Sequence, residues 1–201
     1  LMARARGRGR DLWVLSSSSY RRDDGHGQRV VIFTEHLARQ LGERLLFLEF
    51  NTARLPSLGR DDTVYLDAVQ VPLLAAARIG GALGARLPGP LRSASAPFGA
   101  PTTPARALDR AIYGRGLLAM ARRWVRRARP AAVFVLDGYG MHVPIQIAVR
   151  EAGIPLIELQ HGLIHDSHPG YVLPDDVGQG GPLASPVPDH MVVFGAHFGR
   201  T

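Results

Sequence analysis

Glu158-Leu159-Gln160-His161-Gly162 sets a histidine directly after a short run rich in branched apolar residues, Gly153 to Leu159. Such a run reads as a buried strand. Gln160, His161 and Gly162 then fall at its carboxyl end, where ligands collect in open parallel sheets. An imidazole with an ordinary pKa of about 6.5 can take a proton from a hydroxyl near neutral pH, which makes His161 a candidate general base. Asp137 or Glu158 could orient that ring or hold it charged. Glu158 lies back along the same strand and is expected to be buried and partnered. Gly162 can turn the chain sharply, through a positive φ if required. His165, Asp166, His168 and Tyr171 follow at once, a density of titratable groups that suits a site loop. Each of the three histidines can equally serve by bonding a loop carbonyl.

Ser16 to Ser19 follow another apolar run, Asp11 to Leu15. Ser17, Ser18 and Tyr171 could therefore bind sugar hydroxyls or a phosphate. Gly138-Tyr139-Gly140 opens a helix and could cradle an anion. His161, His165, Asp166 and His168 resemble a metal cluster, but no glutamate sits between helical histidines and the chain has no cysteine. Neither a metal nor a cofactor is expected. There is no G-x-S-x-G elbow, which argues against a serine hydrolase. No G-x-G-x-x-G follows the first strand, which argues against a dinucleotide there.

The elements that must hold these groups alternate along the chain. Asp11 to Leu15 and Leu45 to Phe50 read as strands, with Tyr20 to Gly27 a charged loop and Val30 to Leu41 an amphipathic helix closed by Gly42. Thr63 to Leu66 reads as a short strand and Ala68 to Leu83 as a helix with Pro72 an awkward point. Pro88 to Pro104, rich in Pro, Gly, Ser and Ala, reads as a long loop or lid. A helix from about Ala105 to Ala128 is expected next, then a strand from Pro130 to Leu136, a helix from Val143 to Glu151 and the His161 strand. Asp189 to Gly195 supplies a last strand. Strand-helix-strand units of this length predict an α/β fold, Rossmann-like, with a mainly parallel sheet and helices on both faces. Asp137 and Tyr139 come beside Gln160 and His161 if their strands are neighbours.

The chain's 201 residues suit one buried domain, residues 11–201, after a flexible basic tail, residues 1–10. Its 46% apolar and 20% charged content is that of a soluble globular protein. No apolar run reaches the about 18 residues that span a bilayer, and Leu12 to Leu15 is too short for a signal-peptide core. A cytoplasmic protein is expected. The net charge is +7, and its basic residues are all arginine, as a GC-rich coding sequence would give. Such charge attracts phosphates, anionic lipids and nucleic acid. It concentrates at Arg4 to Arg10 and at Arg122 to Arg129, the second run suiting either a helix carboxyl terminus or a peripheral contact with anionic lipid. No recognition helix or aromatic-basic interleaving accompanies it, so nucleic acid is not an expected partner.

Ala152 to Ile164, then His168-Pro169-Gly170-Tyr171, then Pro188 to Gly195, together resemble the amino-terminal half of bacterial capsule and surface-polysaccharide glycosyltransferases of the GT-B type. Ser18 to Gly25 and the strand ending near Glu49 fit as well, while the middle of the chain is generic. The resemblance implies transfer of a sugar from a nucleotide-activated donor to a hydroxyl of an envelope polysaccharide or glycolipid. It gives His161 the role of base and puts Gln160, Gly162 and Tyr171 in the acceptor cleft. It assigns the donor mainly to a second domain, which is expected to lie outside this chain, so that the chain alone would be inactive. Two other classes stay open: a nucleotide-sugar epimerase of similar architecture, and a non-catalytic module binding glycan or lipid phosphate.

Overall fold

A computed structural model of the chain describes residues 9–17, 20–23, 29–31, 33–50, 62–82, 104–138, 140–162, 188–193 and 195. Its strands are β1 (Leu12–Ser17), β2 (Arg21–Asp23), β3 (Arg29–Val31), β4 (Leu45–Phe50), β5 (Thr63–Tyr65), β6 (Ala132–Val135), β7 (Leu156–Leu159) and β8 (His190–Val192). Its α-helices are α1 (Glu35–Leu41), α2 (Asp67–Ala82), α3 (Pro104–Ala128) and α4 (Val143–Glu151). Two compact units result, one formed by Leu1–Leu66 with Ala121–Thr201 and the other by Asp67–Met120.

In the first unit a six-stranded sheet runs in the order β5-β4-β1-β6-β7-β8, with every neighbouring pair parallel. The fold is α/β and Rossmann-like. The chain leaves β1 toward β4 and β5, then returns to the other side of β1 for β6, β7 and β8. That reversal creates a topological switch point between β1 and β6. Strand alternation divides the core. Leu12, Val14, Leu45, Phe47, Phe134, Leu136 and Leu159 cluster on one face, against which Tyr20, Phe33, Leu37 and Leu41 pack. Trp13, Leu15, Leu46, Leu48, Val133, Val135 and Leu156 are buried on the other. The right-handed rule for parallel crossovers assigns α4, which connects β6 to β7 and fully buries Ile145 and Val149, to that second face.

One sequence expectation changes. The stretch beginning at Val30 does not open a helix: β3 pairs antiparallel with β2, and α1 starts only at Glu35. Val30-Val31-Ile32 satisfies a helical period, yet β-branched residues favour extended backbone, and the Asp24-Gly25 turn signal lies between two strands. Thr34 then reverses the chain, its N–H and Oγ1 both donating to the Val31 carbonyl. At the other helix end, Gly153 takes φ +67° after α4 and sends the chain into β7. The expected lid falls outside the described residues from Pro88 to Thr103, as does most of the basic tail. Among the described residues, no helix is long and apolar enough to cross a membrane.

The arginine-rich end of α3 leads into the amino end of β6, the opposite edge of the sheet from the strand carboxyl ends. Arg122 there forks onto Glu151 through Nε and Nη2, each at 2.7 Å. That guanidinium holds the Glu151 carboxyl below the ordinary carboxylate range. A depressed carboxylate contributes stability above its unfolded pKa and loses it as pH falls through the folded value. Both groups are exposed, so the effect on stability is small. Arg122→Ala is expected to raise the Glu151 titration midpoint, read by NMR, with little change in Tm.

The second unit is a pair of helical segments in close contact. A Cβ on Gly116 would come 2.5 Å from Leu73 Cδ2, and one on Gly80 would come 2.9 Å from Ile112 Cδ1. Glycine lets these segments approach. Pro72 lies inside α2, which continues past it. The hydroxyl of Tyr113 is buried with no hydrogen-bond partner among the described residues. Burial, then the charge of Asp67, pushes the phenol up to about 12. Stability is thus intact below the unfolded phenol pKa of about 10 and falls as pH rises toward the folded value. Tyr113→Phe is expected to leave Tm at pH 7 unchanged or higher and to remove this alkaline loss, since no hydrogen bond is forfeited. Thermal melts at neutral and alkaline pH check it.

Candidate functional site

Parallel pairing brings the carboxyl ends of β1, β4, β6 and β7 to one edge. Ser16 and Ser17 close β1, Glu49 and Phe50 close β4, Asp137 and Gly138 follow β6, and Gln160 and His161 follow β7. The expected neighbours β6 and β7 do pair, so Asp137 and the Gln160-His161 dipeptide belong to adjacent strand ends. Ser17 is buried opposite Phe50. Ser18, Tyr139, His165, His168 and Tyr171, together with Asp166, lie outside the described residues.

Two polar networks flank the switch point. In the first, Glu49 is fully buried in an otherwise apolar strand. It accepts from Ser16 Oγ at 3.1 Å and from Arg21 Nε at 3.0 Å, while Arg21 Nη2 lies 2.6 Å from its other oxygen. Arg21 Nη2 also donates to Thr63 Oγ1 at 3.1 Å, and its guanidinium sits 5.7 Å from the Phe47 ring centroid. A buried charge in an apolar strand requires such a partner.

The second network centres on Asp137. Tyr20 donates its hydroxyl to Asp137 Oδ2 at 3.1 Å, and Gln146 Nε2 donates to the Asp137 carbonyl at 3.0 Å. His142 is buried, stacked 4.9 Å from Phe50, with Nε2 3.0 Å from the Ser16 carbonyl. A carbonyl only accepts, so Nε2 carries the proton. Nδ1 then faces Asp137 Oδ1 at 3.6 Å, beyond hydrogen-bond length.

His161 is half-buried and packed by aromatic rings. Its centroid is 6.0 Å from Tyr20 and 6.2 Å from Phe33, the latter nearly edge-on at 82°. Tyr20 and Phe33 are themselves T-shaped at 5.7 Å. Asp137 therefore reaches His161 through the Tyr20 phenol, which it fixes. Glu158 goes elsewhere. It is fully buried, and its Oε2 lies 2.9 Å from where a Gly138 Cβ would stand. Strand alternation puts Glu158 on the face away from Leu159, whereas His161 packs with the Tyr20–Phe33 side that covers Leu159. The two side chains are thus directed to opposite faces of the sheet. Gln160 donates its amide to the Gly162 carbonyl at 2.9 Å and so shapes the turn. Gly162 itself is not among the positive-φ glycines, and a Cβ there would meet nothing within 4 Å. The glycine that sterics demand is Gly138, whose backbone rests on the Glu158 carboxylate.

Tyr20, Arg21, Glu49, His142 and Gln146 join the site without having been singled out by sequence. Glu49 carried a legible signal, a lone carboxylate in Leu45–Phe50. His142 and Gln146 carried none. Among the described residues no three His, Asp or Glu side chains converge to hold a metal ion. The chain matches no protein-family model, and no curated protein is significantly similar to it.

Proposed function

We propose that the chain forms the acceptor-side half of a glycosyltransferase, which moves a sugar from a nucleotide-activated donor to a hydroxyl of an envelope glycan or glycolipid. The observation that carries the reading is the placement of His161: at a strand carboxyl end, held by Tyr20 and Phe33, with Tyr20 anchored on Asp137. In this reading the acceptor oxygen attacks the anomeric carbon and the bond from that carbon to the nucleotide's phosphate oxygen breaks. The nucleotide leaves with the electron pair, and the imidazole of His161 takes the acceptor's proton. Tyr20 and Phe33 fix the ring plane, and Asp137 is a positioning residue acting through Tyr20. Glu158 has no part in orienting the base.

The test is sugar transfer by the full-length gene product, wild type against His161→Ala, over a panel of nucleotide sugars and envelope-glycan acceptors. Loss of turnover with the fold intact supports a base at His161. Unchanged turnover overturns it, and epimerisation or hydrolysis of the nucleotide sugar without acceptor would replace transfer with those chemistries.

A further inference from the structure

We infer that the crevice at the switch point between β1 and β6 binds an uncharged polyol, a sugar ring whose hydroxyls donate to Asp137 and Gln146, and that it rejects phosphate. The inference rests on the transferase reading and gives its acceptor subsite a chemistry. Two acceptor atoms there have no hydrogen-bond donor among the described residues: Asp137 Oδ1 and Gln146 Oε1. Gln146 is fully buried, and its amide cannot be turned over to hide the oxygen, because Nε2 is committed to the Asp137 carbonyl. Both acceptors therefore belong to the surroundings of one residue, at the end of β6.

Buried acceptors left without donors are rare in folded proteins and call for a donor-bearing guest. The guest's charge follows from what surrounds them. Asp137 already places a carboxylate ahead of the helical segment that starts at Gly140, which is the place an anion would otherwise take. Glu158 lies beneath Gly138, and the guanidinium of Arg21 is spent on Glu49 and Thr63. A phosphate would meet carboxylates, whereas hydroxyl groups meet acceptors. The narrow fit at Gly138, where even a Cβ would come within 2.9 Å of Glu158 Oε2, favours hydroxyl-sized groups.

The experiment is an NMR titration of the full chain with glycerol, methyl glucosides, methyl galactosides and N-acetylglucosamine, and in parallel with inorganic phosphate and glucose 1-phosphate. The expected result is saturable shifts at the Gln146 side-chain amide and at Gly138 with at least one uncharged polyol, and weaker binding of its phosphorylated counterpart. Asp137→Asn, which turns one acceptor position into a donor, is expected to weaken the polyol by about tenfold or more, as loss of a bond to a charged acceptor does. Gln146→Met serves as the second variant, and the wild-type preference stands as a test if either variant unfolds. No polyol shifts at these residues, tighter binding of phosphate there, or polyol binding untouched by both folded variants would each overturn the inference. Polyol binding here without His161-dependent transfer would leave the subsite standing and sink the transferase reading. His161-dependent transfer without polyol shifts would do the reverse.

Discussion

Glu49→Ala is expected to destabilise the protein by about 3–5 kcal/mol, because it strands the Arg21 guanidinium in the interior. The Glu49 side chain is fully buried and that of Arg21 is 6% exposed, so water cannot replace the lost partner. Ser16 and Thr63 would remain as neutral partners for fragments of the network, which is not enough for a full charge. The informative control is the double variant Arg21→Met with Glu49→Leu, which removes both charges and fills their volume. It is expected to cost much less than either single charge removal, as buried pairs replaced by apolar residues commonly do. Urea denaturation at unchanged m-value measures all three. A single-variant cost below about 1 kcal/mol would place the pair among solvent-exposed bridges and contradict its burial. The pair also ties the β2–β3 hairpin to the end of β4, and Tyr20 directly precedes that hairpin, so its loss should disturb the site as well as the fold.

His161→Ala is expected to lower kcat by about 10²–10⁴-fold, the usual contribution of a positioned general base. Tyr20→Phe separates base from support. It keeps the ring that packs against His161 but deletes the bond to Asp137, so its loss should be smaller and should fall on kcat with KM little moved. Asp137→Asn should resemble it if Asp137 acts through Tyr20. A base must be unprotonated to work, so His161 would supply the acidic limb of the pH profile, and its removal should flatten that limb. Retention of the limb in folded His161→Ala would identify another base and end the proposed mechanism.

The fold was legible because its strongest elements are locally consistent. Leu45–Phe50, Val143–Glu151 and the β6 and β7 runs have uninterrupted apolar character, a proline in the first turn or a terminating glycine, and they form where those signals put them. The hairpin of β2 and β3 was not, because Val30 and Val31 fit a helical period and a strand equally, and pairing with Arg22 and Arg21 decided it. At the site, His161 and Asp137 were legible as polar residues following apolar strands. Their relation was not: Tyr20 and Asp137 are 117 positions apart, and Ser16 and His142 are 126 apart. No local pattern announces such pairs. Glu158 misled for the reverse reason, since closeness along a strand says little about sharing a face when alternate side chains diverge.

The central position of β1 has a consequence for how the molecule comes to be built. One edge of β1 is satisfied early, by β4 in the same strand-helix-strand unit, but its other edge waits for Ala132 to Val135. During synthesis a buried, apolar strand therefore carries an open hydrogen-bonding edge until more than half the chain has emerged. Closing so long a loop is slow, and an unpaired apolar edge invites pairing with another nascent chain. The two hydrogen-bonded links across the switch point, Tyr20 to Asp137 and His142 to Ser16, can form only once that wait ends. Chains that stall before β6 should therefore be insoluble as well as inactive, and the candidate site should be among the last features of the protein to appear.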